Sequence, residues 1–233
     1  MASPGELVRK VAEVLGVPEP TVVVHDRNLV TAGLRTKGGR GRSAAKMTPG
    51  DAANLILAVA GSSMVKDTVE TVNDYAVLPS RGGEVSIRRD AHSYNNDGNP
   101  PPTWNLPGFP IPALQALQED HTFRDALVGL IESATDGSLR EAVKNLRPFS
   151  EEHRIPSHWA IEVILWGPYP QAAIRIYCND FSEKHHYSMI PTGMDEIMKW
   201  AKDFDSQHGE GDLKQIREFS AKTILTIGEL LKS

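Results

Sequence analysis

Six basic residues, Arg27, Arg35, Lys37, Arg40, Arg42 and Lys46, fall within twenty positions that hold no Asp or Glu. The 233-residue chain carries a net charge of −5, so this window is +6 and the remainder −11. Gly33, Gly38, Gly39 and Gly41 interrupt the same stretch. Cationic side chains on a glycine-rich segment suit contact with a row of phosphates, each met without a fixed base sequence. Neutralising four to six phosphates would give a log–log salt slope of roughly −4 to −5. The acidic remainder argues against a general polyanion coat. It leaves a local site possible, because exposed charges are screened beyond about 8–10 Å.

Other phosphate chemistry fits the residues less well. The pattern G-x-x-x-x-G-K-[ST] needs a lysine after its second glycine, but Gly33 and Gly38 are followed by Gly39. In G-x-G-x-x-G the third glycine is missing, because Ala44 follows Gly39-Arg40-Gly41 at that spacing. Both loops also require a preceding strand, and none is predicted. Arg40-Gly41-Arg42 has the core of an AT-hook, with Ser43 where its proline would stand.

Metal and acid–base chemistry find little support. Cys178, Asp180, His185 and His186 cluster in sequence, with His153 and His158 not far off. They lack the short-spaced ligand pairs of zinc sites, and adjacent histidines on a strand point to opposite faces. Glu151-Glu152 and Asp203/Asp205 read as solvated acids, and no nucleophile–base arrangement stands out. The expectation is a non-enzymatic protein with no metal and no cofactor.

The basic window must be positioned by the elements around it. Ser3-Pro4-Gly5-Glu6 predicts a capped helix start, and Leu7, Val8, Val11, Val14 and Leu15 recur at helical spacing. Gly16 ends that helix, and a second is predicted over 21–31, closed by Gly33. Thr48-Pro49-Gly50-Asp51 repeats the capping pattern before "DAANLILAVAG", and a further helix is expected at 65–76. Residues 79–112 are rich in Pro, Gly and Asn and read as a linker, with a short strand near 84–88. Helices are expected at 113–118, 122–134 and 138–146. A hairpin of 158–166 and 171–178, a strand at 186–190, and helices at 193–204 and 212–231 complete the chain.

"VAEVLGVPEPTVVV", residues 11–24, has helix-turn-helix spacing: Ala12 for close approach, Gly16 in the turn, Val17 packing inward, Thr21-Val22 opening the second helix. His25 stands where an apolar residue is usual. The run "TVVVHDRNLVTAGLRTKGGRGR" resembles the recognition helix and wing of MarR-like winged helix-turn-helix regulators, over about the first 60 residues. The resemblance implies that 21–31 docks in the major groove and that 35–46 is a β-hairpin wing on the backbone. Base readout would then fall to Thr21, His25, Arg27 and Asn28, and phosphate contact to Arg35, Lys37, Arg40, Arg42 and Lys46.

The expectation is therefore an α+β protein. Residues 1–78 form a winged helix-turn-helix domain, 79–112 a linker, and 113–233 an α+β domain with a small antiparallel sheet for oligomerisation or effector binding. The expected partner is double-stranded DNA, the assembly a homodimer or higher homo-oligomer, and the role transcriptional regulation. A phage-type accessory DNA-binding protein of low specificity, or an enzyme with its site in the C-terminal half, are the alternatives. One cysteine and no apolar run of about 20 residues point to the cytoplasm and away from a membrane span.

Overall fold

The computed structural model describes residues 2–38, 45–87, 111–144, 159–178, 181–191, 193–208 and 214–232. It is a mixed α+β fold in which a group of helices packs on one five-stranded antiparallel sheet.

Helix α1 (Pro4–Leu15) begins with the predicted capping box, Ser3 accepting from the Glu6 amide while Glu6 receives the Ser3 N–H. Gly16 closes it at φ +66°. Helix α2 (Glu19–Ala32) ends at Gly33, φ +77°, whose amide and that of Leu34 return to carbonyls of the last turn. Both are left-handed closures that glycine adopts without strain. Helix α3 (Pro49–Gly61) starts from the Thr48–Asp51 capping box, and every residue from Asp51 to Val59 is buried. A helix that is apolar on all sides belongs inside the core, and burying Leu55, Ile56 and Leu57 contributes roughly 1.5–3 kcal/mol each. A 3-10 turn at Val65–Asp67 leads into α4 (Thr68–Ala76).

Strand β1 (Ser80–Ile87) follows directly, and α5 (Pro112–Gln115), α6 (Phe123–Asp136) and α7 (Ser138–Lys144) come next. Strands β2 (Trp159–Gly167) and β3 (Gln171–Cys178) form the predicted hairpin, and β4 (Phe181–Ser188) pairs with β3. Helix α8 (Met194–His208) precedes β5 (Gln215–Ser220) and α9 (Ala221–Lys232). The sheet order is β1-β4-β3-β2-β5. Alternation puts Ile161, Val163 and Leu165 opposite Ile176, Ile174 and Ala172, all buried.

Two sequence expectations change. The helix expected over 212–231 is β5 followed by α9. Alternation in "QIREFS" turns Gln215, Arg217 and Phe219 inward and leaves Ile216, Glu218 and Ser220 exposed, and β2 supplies the ladder. The segment read as a linker opens with β1, which pairs with β4 along the sheet edge. Pro79 bridges Thr122, the Phe123 amide donates to Leu78 O, and Ile111 is fully buried. One apolar interior runs from Leu7 on α1 through α3 and α6 to Ile227 on α9 and Val163 in the sheet. Phe123 on α6 packs on Tyr187 of β4 with ring centroids 5.3 Å apart. Among the described residues no helix is long and apolar enough to cross a membrane.

Candidate nucleic-acid interface

The inward stripe of α2 is Val22, His25 and Leu29, at the three- and four-residue spacing of one helix face. His25 thus points into the core, only 4% exposed, with Nδ1 2.7 Å from Thr68 Oγ1 of α4. Burial lowers its pKa and favours the neutral ring. Asn28, one turn further on, donates through Nδ2 to Val65 O at 3.1 Å and to Thr68 Oγ1 at 3.4 Å. Two of the four expected base readers are therefore engaged in fastening α2 to α4. Their spacing from Val22 and Leu29 explains it, since a helix cannot turn 25 and 28 outward while burying 22 and 29. The outward face carries Arg27, Val23 and Val24, all exposed, with Thr21 half-buried at its flank.

Arg35 is also committed. Its Nε and Nη2 donate to the two oxygens of Asp26, each at 2.7 Å, and Nη1 donates to Thr36 O. The side chains of this pair are only 9% and 13% exposed. A fork-on-carboxylate pair of this kind is geometrically specific and neutralises both charges. Lys37 and Lys46 are exposed. Arg40 and Arg42 lie outside the described residues. No strand is assigned to 35–38 or 45–48, the described parts of the expected wing.

The two ends of the basic segment are held. The Thr36 amide donates to Asp51 Oδ1 at 2.7 Å, and the Met47 amide donates to Ala2 O at 2.9 Å. Asp51 also receives the Thr48 amide and hydroxyl on Oδ2. Burial opposes its charged form, but the hydrogen bonds from Thr36 and Thr48 outweigh that and hold its pKa below the ordinary carboxylate value. Between these anchors the chain closes on itself, because a Cβ built on Gly38 would collide with the Ala45 backbone. Gly38 and Ala45 are thus in contact. Compared with protein-family models, curated proteins and solved structures, the chain matches none.

An open cleft of about 630 Å³ lies at the foot of this segment, between the α2–α3 junction and α6. Arg124, the second residue of α6, reaches it from the other half of the chain and donates from Nε to Asn54 Oδ1 at 2.8 Å. Sequence reading missed Asp26, Asn54 and Arg124. Asp26 borders the acid-free window on its N-terminal side and was the one signal available. Arg124 lies 70 positions from Asn54, and no local pattern joins them.

Of the residues weighed for metal binding, His185 sits beside Glu183, Nε2 to Oε1 2.6 Å, opposite Gly83 and Ile174. His186 lies opposite Ala173. Asp180 is outside the described residues. Among the described residues no three or more His, Cys, Asp or Glu are grouped to hold a metal ion.

Proposed function

We propose that this protein binds double-stranded DNA, with α1 and α2 acting as a helix-turn-helix and the 35–46 segment as a basic wing on the phosphate backbone. Transcriptional regulation by a homodimer is the role this reading favours, because dimers recognise symmetric sites. The observation that carries it is the closure of the basic segment. Its stems are tied to Asp51 and Ala2, and Gly38 abuts Ala45, so its cations are presented from a fixed base at the C-terminal end of α2. With Arg35 paired to Asp26, the cations left for phosphate are Arg27, Lys37, Arg40, Arg42 and Lys46. Five contacts correspond to a log–log slope of roughly −4 to −5.

A second reading, an accessory DNA-binding protein of low specificity, draws on the burial of His25 and Asn28. Their inward turn leaves only Arg27 and Thr21 of the four expected base readers free to reach base edges, which favours backbone contact over base readout.

The test is fluorescence anisotropy of a labelled random duplex over a salt series. Wild type is compared with a variant carrying Lys37→Ala, Arg40→Ala, Arg42→Ala and Lys46→Ala. The expected result is low-salt binding by wild type and a slope smaller by about 3–4 in the variant. Absence of wild-type binding at low salt, or an unchanged slope, rejects the wing. A defined dimer on a palindromic duplex favours the regulator, and a higher oligomer without preference favours the second reading.

A further inference from the structure

We propose that the cleft between the α2–α3 junction and α6 is a phosphate subsite, with Arg124 as its central donor and Lys37 as its second cation. This deepens the DNA-binding reading and rests on it, placing a residue of the second half of the chain in the same interface.

Four observations carry it. The Arg124 guanidinium is oriented by one bond, Nε to Asn54 Oδ1 at 2.8 Å, and Asn54 is itself buried and held by donation from Nδ2 to Leu34 O at 2.6 Å. Among the described residues this is the sole hydrogen bond of Arg124, so both terminal nitrogens keep their N–H groups free; guanidinium presents five such donors in a rigid fork. Arg35 on the same cleft is neutralised by Asp26, whereas Arg124 has no carboxylate partner among the described residues. Asp51, the acid lining the cleft, keeps its charge but directs its oxygens to Thr36 and Thr48 and not to Arg124.

Room has been left for the guanidinium as well. A Cβ at Gly50 would lie 2.9 Å from Arg124 Nη2, so a larger residue would crowd it. A fork with unused parallel N–H groups facing an open, water-accessible cleft matches the oxygen pair of a phosphate. The exposed ammonium of Lys37 adds a second charge on the same cleft.

The ligand is a phosphate group, supplied by the duplex backbone or by free phosphate, and the experiment separates the two. Duplex anisotropy over a salt series is measured for wild type, Arg124→Gln and Arg124→Lys, with thermal melts of each to verify folding. Arg124→Gln is expected to weaken low-salt binding about tenfold and to reduce the slope by about 0.9, while Arg124→Lys keeps the slope. If wild type binds duplex and Arg124→Gln matches it, the subsite is overturned. If Arg124→Lys loses as much slope as Arg124→Gln, Arg124 acts only through packing and the subsite is likewise overturned. If wild type fails to bind duplex, the DNA reading falls by itself. Titration with inorganic phosphate by calorimetry then decides: binding lost in Arg124→Gln retains the subsite for free phosphate, and no binding overturns it.

Discussion

His25 donates to Thr68. The Thr68 hydroxyl has one proton, which goes to Val65 O at 2.5 Å, so Thr68 Oγ1 accepts from His25 Nδ1 at 2.7 Å and the ring proton sits on Nδ1. This bond, with Asn28 beside it, fastens α2 to the start of α4.

That arrangement makes stability depend on pH. Burial lowers the folded pKa of His25 from its ordinary 6.5, so below that pH the unfolded chain takes up the proton more readily than the native state. The His25 contribution is full above pH 6.5 and is lost as pH falls from there toward the lower folded value. Urea denaturation of wild type should show declining stability across this window. His25→Ala should be less stable by about 1–3 kcal/mol at pH 8, where Thr68 Oγ1 loses its nearer donor and keeps only Asn28 Nδ2 at 3.4 Å, and should show a flatter profile. A His25→Ala profile parallel to wild type would assign the pH dependence to another group.

The Asp26–Arg35 pair should matter to folding and not to salt-dependent binding. Asp26→Ala strands a largely buried guanidinium and should cost up to about 3 kcal/mol. Removing both partners, as Asp26→Leu with Arg35→Leu, should recover most of that loss in a double-mutant cycle. In duplex titrations Arg35→Ala should retain the wild-type slope, whereas Lys37→Ala and Lys46→Ala should each reduce it by about 0.9.

Two helical glycines should respond in opposite directions to alanine. A Cβ on Gly228 of α9 would lie 2.5 Å from Ala134 Cβ and 2.7 Å from the Ala134 carbonyl carbon. Gly228→Ala should therefore force α9 off α6 and cost about 1–3 kcal/mol despite its better helix propensity. On α6, a Cβ at Gly129 meets nothing nearer than 3.5 Å. Gly129→Ala should be neutral or stabilise by up to about 1 kcal/mol. Thermal melts of the two variants give the comparison directly.

Tyr75 ties α4 to the sheet, its hydroxyl donating to Trp166 O at 2.8 Å. Tyr75→Phe should cost about 1 kcal/mol by leaving that carbonyl without its donor. Burial pushes the phenol pKa up to about 12. An ultraviolet titration of wild type minus Tyr75→Phe should show no phenolate from this residue before pH 11.

Local punctuation was legible in the chain. Ser3 with Glu6, Thr48 with Asp51, and the glycines at 16 and 33 mark helix ends through bonds spanning a few residues, so sequence and structure agree there. The β2–β3 hairpin was legible for the same reason. What sequence hid depends on distant partners. The six residues of β5 are a strand because β2, some fifty positions earlier, supplies the ladder, and their alternation is too short to stand out against a helical reading of 212–231. At the candidate interface the charge run was plain. The direction of each side chain was not, because His25 and Asn28 turn inward to meet α4 and Arg35 turns back to Asp26.

Helix α9 packs its buried Ile224, Ile227 and Leu231 into the same interior as α1 and α6. During synthesis the ribosome therefore exposes α1, α3 and α6 long before the piece that closes over them exists. The nascent chain must carry an uncovered apolar surface until α9 emerges. A chain cut before Ala221 would leave that surface permanently open to aggregation.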